Sequence, residues 1–366
     1  IAITFTEKAA GELRDRVRRA LYESITGADE DEAARFRAAL HQVDSAHIET
    51  IHAFASSLLR ERPLEAGLDP NFRVLDAVSE QLQFEEAWQD WLWREEESTA
   101  RPRIERCLRL GLSLDHLRNL THTITDFREL DARRDAPPVP LAHDILHQEL
   151  TDAHQLAGLA VGISDAVERD VEGLVDALEA LRPLADDGLE AALASLRIPS
   201  IRAGRNPGEA RIRCAERLQQ LAESHADYVD SVRIQALAAF IDVATDFVRD
   251  AANDRRRSGT LTFQDLLIEA RALLQSEPGV RRYFRERYKF LLIDEFQDTD
   301  PLQAEIVMML AASNDAPTWH EVELEPGRLF IVGDPKQSIY RFRRADIDMY
   351  ADVLAFFQSQ QEQDRG

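Results

Sequence analysis

The sequence predicts an α/β protein whose parallel sheet is built from both ends of the chain and interrupted by an all-helical stretch. Three observations carry this. Lys289-Phe-Leu-Leu-Ile-Asp294 and Arg328-Leu-Phe-Ile-Val-Gly-Asp334 are uninterrupted apolar runs of strand length, the pattern of strands buried on both faces of a parallel sheet. Ile1-Ala-Ile-Thr-Phe-Thr6 is β-branched and aromatic, and it runs directly into a helical apolar stripe. From about Ser79 to Arg257 the texture is one of long amphipathic helices with almost no strand signal.

Taken in order, the first strand feeds a helix from Lys8 to Tyr22, with Ala9, Leu13, Val17 and Leu21 on one side. A second helix is expected near Thr50 to Glu61, carrying Ile51, Phe54, Leu58 and Leu59, and Pro63 ends it. These elements place a first α/β part at residues 1–76 and a helical part at 77–257. Within the helical part, Ser79 is expected to cap a helix that turns Phe84, Ala87, Trp88, Trp91 and Leu92 inward. Ser164 caps another, with Val167, Val171, Leu174, Val175 and Leu178 inward, and a third runs through Leu237, Phe240, Ile241, Ala244, Phe247 and Val248. Breaks fall at Asp135-Ala-Pro-Pro-Val-Pro140 and between Pro199 and Pro207. Trp88, Trp91 and Trp93, at helical spacing, read as core or interface rather than as a ligand box. The α/β texture returns over residues 258–366, where a helix from Pro301 to Ala312 and a loop from Ser313 to Gly327 separate the two apolar runs.

A chain of 366 residues leaves room for two or three domains, and 44% apolar with 30% charged residues excludes the disordered and fibrous classes. No apolar run approaches the length of a bilayer span, so no membrane role is expected. The sequence opens on Ile1 without a readable signal peptide, as a cut piece would. Cys107 and Cys214 lie far apart, which argues for a reducing cytoplasm and for two buried thiols rather than a disulfide or metal cage. A net charge of −23 argues, on its own, against a polyanionic partner. Locally the sign reverses. Residues 1–22, 281–289 and 328–346 each hold five basic residues, against three, one and two acidic ones, so the global charge does not veto nucleic acid. All basic residues except Lys8, Lys289 and Lys336 are arginine, which suits phosphate forks and equally reflects a GC-rich coding sequence.

The chemistry concentrates where the apolar runs end, because ligands of open α/β sheets bind at the carboxyl ends of strands. Asp294-Glu295 closes the first run. An aspartate there can hold Mg²⁺ beside nucleotide phosphates, and the next carboxylate can orient or deprotonate an attacking water. The plainer reading is an N-cap pair for the following helix. Beyond the second run, Gly333-Asp-Pro-Lys-Gln-Ser-Ile-Tyr-Arg-Phe-Arg-Arg-Ala-Asp346 interleaves aromatics with arginines, as suits single-stranded nucleic acid. An Arg-rich turn with Tyr340 and Phe342 in the core accounts equally well for this piece alone. The hydroxyls of Thr4-Phe5-Thr6 and the helix start after them could meet a nucleic-acid backbone. No His, Asp and Glu grouping has a convincing metal spacing.

In this order the pieces resemble the UvrD/Rep-type superfamily 1 DNA helicases, and among them the RecB/AddA helicase–nuclease subunits. Ile3-Thr-Phe-Thr-Glu-Lys-Ala-Ala10 resembles motif Ia and Thr50-Ile-His-Ala-Phe54 motif Ib. Pro63 to Pro70 and Phe72 to Asp76 are similar to the RecB/AddA branch, and Leu261-Thr-Phe-Gln-Asp-Leu-Leu267 to the segment after an inserted helical domain. Asp294-Glu-Phe-Gln-Asp-Thr-Asp300 resembles motif II and Gly333 to Asp346 motif III.

The resemblance implies a RecA-like P-loop NTPase motor domain with an all-helical insertion, and an ATP-dependent 3′ to 5′ DNA helicase or translocase acting in repair and recombination. It implies that Asp294 coordinates Mg²⁺, that Glu295 activates the hydrolytic water, and that Gln337 senses the γ-phosphate of ATP. It assigns contacts with single-stranded DNA to Thr4, Phe5, Thr6, His52, Tyr340, Phe342 and Arg343. The partners implied are single-stranded and duplex DNA and a second helicase–nuclease subunit, in the cytoplasm. No G-x-x-x-x-G-K-[S/T] loop occurs in the chain, and nothing after motif III matches a second motor or nuclease domain. The expectation is therefore an internal fragment without ATPase activity of its own. The rivals are a non-helicase P-loop ATPase and a non-catalytic subunit that binds DNA or serves as a scaffold.

Overall fold

The computed structural model describes residues 1–94, 100–133, 135–201, 208–337 and 347–363. The chain divides into two compact units, one formed by Ile1–Glu80 with Ala252–Gly366 and the other by Gln81–Ala251.

The first unit is organised on a four-stranded parallel sheet. Strand β1 (Ala2–Thr4) leads into α1 (Glu7–Ile25) and α2 (Glu30–Gln42), and β2 (Ile48–Thr50) into α3 (Ile51–Glu61). The strand after α3 is β3 (Arg73–Val74), and the chain next forms α4 (Ala77–Arg94). Helix α2 is not among the helices the sequence predicts. Its amphipathic pattern is weak, with Ala33 its one buried residue. Helix α4 starts earlier than expected. Asp76 Oδ1 accepts from the Ser79 amide at 2.8 Å, so Asp76 rather than Ser79 supplies the cap.

The second unit is built, among its described residues, of helices and turns: the body of α4, then α5 (Ala100–Arg109), α6 (Leu114–Asp126), α7 (Ala142–Ala160), α8 (Asp165–Glu179) and α9 (Asp186–Ser195), and most of the 49-residue α10 (Glu209–Arg257). Ser164 does cap α8, accepting from the Val167 amide, and Val167, Val171, Leu174 and Leu178 are buried. Trp88 and Trp91 lie 6.1 and 5.0 Å from the Phe247 ring, inside this unit's own apolar core. Trp93 is 76% exposed and lies outside that core. Both cysteines are buried and unpaired, and burial pushes the Cys107 thiol up to about 11.

Back in the first unit, β4 (Thr260–Leu261) pairs in parallel with β3, and α11 (Phe263–Ser276) and α12 (Pro278–Arg287) follow. Then come β5 (Leu291–Ile293), α13 (Pro301–Ala311), β6 (Leu329–Ile331) and α14 (Ile347–Gln363). The main sheet runs β2-β1-β5-β6, all parallel, with Ile3 opposite Glu49 and Ile293, and Ile293 opposite Ile331. Ile3, Leu291 and Ile293 join one core with α3, α11 and α13. Helix α13 is apolar nearly all round and correspondingly buried nearly all round.

The sequence predicts β5 and β6 buried on both faces, and one face is not. Leu291 and Ile293 are closed off, whereas Phe290, Leu292, Phe330 and Val332 are between 46 and 65% exposed. Side chains alternate across a strand, so Leu291 and Ile293 turn into the core while their neighbours turn outward.

Candidate functional site

The carboxyl ends of β1, β2, β5 and β6 lie on one side of the first unit, because neighbouring strands are parallel and in register. At the end of β5 the ladder continues one step: the Asp294 amide donates to Ile3 O at 2.9 Å, and the Phe296 amide to Val332 O at 3.0 Å. Asp294 and Glu295 therefore emerge at fixed positions, and both are exposed. Glu295 has φ 55° and ψ 42°, the left-handed region, and is the non-glycine residue with positive φ among those described. The chain then enters a buried 3₁₀ turn, Phe296–Asp298.

The acid pair does not cap the next helix. That task belongs to Asp300, whose Oδ1 accepts from the Gln303 amide at 2.8 Å, with Pro301 opening α13. Among the described residues neither Asp294 nor Glu295 makes an ion pair. Asp294 Oδ1 accepts from the Glu295 amide at 3.1 Å, and Glu295 Oε2 accepts from Gln297 Nε2 at 2.7 Å. Asp298 is buried with Oδ1 unpartnered, and burial, then the Glu295 charge, raises its pKa.

At the end of β6, Gly333 and Asp334 lead into a 3₁₀ turn, Pro335–Gln337. Gln337 Nε2 donates to Asp334 Oδ2 at 3.0 Å, and the Lys336 amide to Asp334 Oδ1 at 3.0 Å. The Asp334 amide donates to Gln297 Oε1 at 2.9 Å. The turns beyond β5 and β6 are thus joined through one buried side chain, Gln297, which is 2% exposed.

Thr4, Phe5 and His52 come together with Asp294, Glu295, Thr299 and Gln303 around a cavity of about 40 Å³. That volume admits at most a few waters, whereas drug-sized ligands occupy roughly 300–1,000 Å³. The donors available there are carboxylate, hydroxyl and amide oxygens, the set a hard divalent cation prefers. Thr4 is 2% exposed and its hydroxyl donates to Thr6 O, so it holds the turn in place. Thr6 is exposed and caps α1 through the Ala9 amide. His52 is half-buried, and burial lowers its pKa, which favours the neutral imidazole near pH 7. Tyr340, Phe342 and Arg343 lie outside the described residues.

Two features of the site do not follow from the sequence pattern. Gln297 stands there simply as one member of the Asp294–Asp300 run, although a polar side chain two positions past the acid pair is the signal that marks it. Phe263 is likewise one member of another run. Its exposed ring sits edge-on to His52 at 5.6 Å, extending the aromatic surface there.

Two of the five basic residues at 281–289 are not on the surface, whereas Arg282, Arg287 and Lys289 are exposed. Arg281 is fully buried and donates twice to Ala316 O, at 2.8 and 2.7 Å, while Arg285 grips Ala312 O and Asp315. Arg282 pairs with Asp315 and Arg287 with Glu61. Arg281 and Arg285 brace a loop, because a buried arginine needs several acceptors and carbonyl oxygens supply them.

An open parallel sheet that presents a carboxylate pair and polar turns at the ends of neighbouring strands defines an α/β protein of the kind that binds its ligand at that edge. The chain belongs to the UvrD/REP helicase family, whose N-terminal domain matches residues 1–358. It is 24% identical to an ATP-dependent helicase/nuclease subunit of Pediococcus pentosaceus, over all of this chain and 33% of that protein. It is 25% identical to the protein of that name from Ligilactobacillus salivarius, over 96% of this chain and 32% of the relative. The Limosilactobacillus fermentum protein, also so named, is 27% identical over 98% of this chain and 30% of its own length. The chain thus spans about a third of the curated relatives it matches.

Proposed function

We propose that this chain is the first motor portion of an ATP-dependent DNA helicase of the helicase–nuclease type, moving 3′ to 5′ along one strand in DNA repair and recombination in the cytoplasm. The observation that carries this reading is the meeting of Asp294, Glu295 and the Gln337 turn at the carboxyl ends of two paired strands, β5 and β6. In this reading Gln81–Ala251 corresponds to the inserted helical domain of the family, and the partners are single-stranded and duplex DNA and a second helicase–nuclease subunit.

Asp294, exposed and outside any ion pair among the described residues, would hold Mg²⁺, which such sites bind through one or two carboxylates together with substrate phosphates. Bound Mg²⁺–ATP supplies the scissile phosphoanhydride and the charge neutralisation of its oxygens. The chain's own residues do the rest. Glu295 orients a water and accepts its proton, and Gln337 offers its amide to the terminal phosphate. Phe5, Thr6 and His52 face single-stranded DNA, with Thr4 holding the turn beneath them. Tyr340, Phe342 and Arg343 supply the stacking and phosphate contacts beyond β6. Without a phosphate loop in its sequence, the chain alone is not expected to turn over ATP.

The test is Glu295→Gln in the full-length protein. Loss of a general base lowers the DNA-stimulated ATPase rate by roughly 10²–10⁴-fold, while ATP binding stays within about twofold. Wild-type turnover in that variant overturns the reading.

A further inference from the structure

We propose that Gln297 is a positioning residue that holds the Glu295 carboxylate and ties it to the turn carrying Gln337, so that a displacement at the end of β6 reaches the hydrolytic base. The inference rests on the reading of Glu295 as that base. A glutamine amide has a donor end and an acceptor end. Here both are engaged, Nε2 with Glu295 Oε2 at 2.7 Å and Oε1 with the Asp334 amide at 2.9 Å. The orientation is dictated chemically: a flipped amide would set oxygen against the carboxylate and N–H against N–H. Both bonds are part-buried, and the glutamine amide itself is shielded from water.

Glu295 is exposed, on a left-handed backbone, and a long carboxylate side chain there would otherwise sample several rotamers. Gln297 selects one of them. From Asp334 the connection continues to Gln337 Nε2 at 3.0 Å, so three hydrogen bonds lead from the base to the residue proposed to face the terminal phosphate.

Gly333 shows how closely the two turns approach. A Cβ added there would lie 2.7 Å from Gln297 Oε1 and 3.2 Å from both Phe296 N and the Tyr350 ring. The requirement for glycine is one of space, since its φ is not in the positive region. Tyr350 of α14 also donates to Gly333 O at 3.2 Å, fixing this backbone from the other side.

The experiment is steady-state ATP hydrolysis by the full-length protein with single-stranded DNA, together with thermal melting. Gln297→Met fills the space without either hydrogen bond. Gln297→Glu keeps the acceptor for Asp334 but sets a second carboxylate against Glu295. In both, kcat is expected to fall by about 10–100-fold, the cost of a base displaced by an ångström, with the KM for ATP within about twofold and Tm within a few degrees. Gly333→Ala is expected to lower kcat in the wild-type background and to lower it by a clearly smaller factor in Gln297→Ala, where the closest of the three contacts is gone. Wild-type kcat in folded Gln297→Met overturns the proposal. So does multiplicative loss in the Gly333→Ala, Gln297→Ala pair, which would mean that the two positions act independently. Glu295→Gln in the same assay separates the two failures. If it is inactive while Gln297→Met is normal, only the tie fails; if it turns over normally, the hydrolytic reading fails with it.

Discussion

Asp298 shows how the site's demands and stability oppose each other at single residues. Its carboxylate is buried near Glu295 with Oδ1 unpartnered, and burial first, then the Glu295 charge, lifts its pKa above the usual 3.8. A carboxyl group whose pKa is higher folded than unfolded binds protons more readily in the native state, so stability falls as pH rises through that interval. The penalty is complete at neutral pH and absent once the pH lies below the unfolded value. Asp298→Asn is therefore expected to raise Tm at pH 7, with the gain shrinking as the pH is lowered toward 4. Equal gains at both pH values would remove charge burial as the cause. Residue identity was legible here and residue environment was not. Asp294 and Glu295 stand out in the sequence because they close an apolar run, yet the left-handed backbone of Glu295 depends on how the turn meets the end of β6. Likewise, nothing in the spacing of Arg281 and Arg285 tells a phosphate-binding surface from two braces on a loop, since both uses call for guanidinium groups.

At the level of elements, capping chemistry explains why the helices begin where they do. Thr6, Thr50 and Thr262 each accept from an amide three residues on, setting the starts of α1, α3 and α11 just beyond β1, β2 and β4. At α11 the cap is reciprocal and deeply buried: Asp265 Oδ2 accepts from the Thr262 amide at 2.9 Å while Arg255 Nε donates to the same oxygen at 2.9 Å. Removing one partner of a buried pair leaves the other uncompensated, at about 3–5 kcal/mol, whereas loss of a cap hydroxyl costs about 1 kcal/mol. Asp265→Ala should thus destabilise the first unit several-fold more than Thr262→Ala in urea titrations followed by circular dichroism. Comparable losses would mean that the Arg255 pair adds nothing. The strands were less legible than the helices. An apolar run such as Lys289 to Asp294 identifies a strand, but alternation of exposure along it depends on what packs above the sheet, and composition carries no record of that.

For the molecule as a whole, the sequence texture separates strand-bearing ends from a helical middle, and the folded chain has two apolar cores. One comprises the sheet residues Ile3, Leu291 and Ile293 with α3, α11 and α13. The other comprises helical residues from Trp88 to Val248. Among the described residues none belongs to both. Cooperativity follows shared burial, and two separately closed cores, each large enough for a domain, need not melt together. Calorimetry of the 366-residue chain should resolve two transitions, and Asp265→Ala should lower only the one belonging to Ile1–Glu80 with Ala252–Gly366. Phe240→Ala, at a fully buried position in the other unit, should lower only the second, by about 3–5 kcal/mol. A single transition that both substitutions move by equal amounts would show one cooperative unit. The helical middle would then share one stability with the sheet-bearing unit.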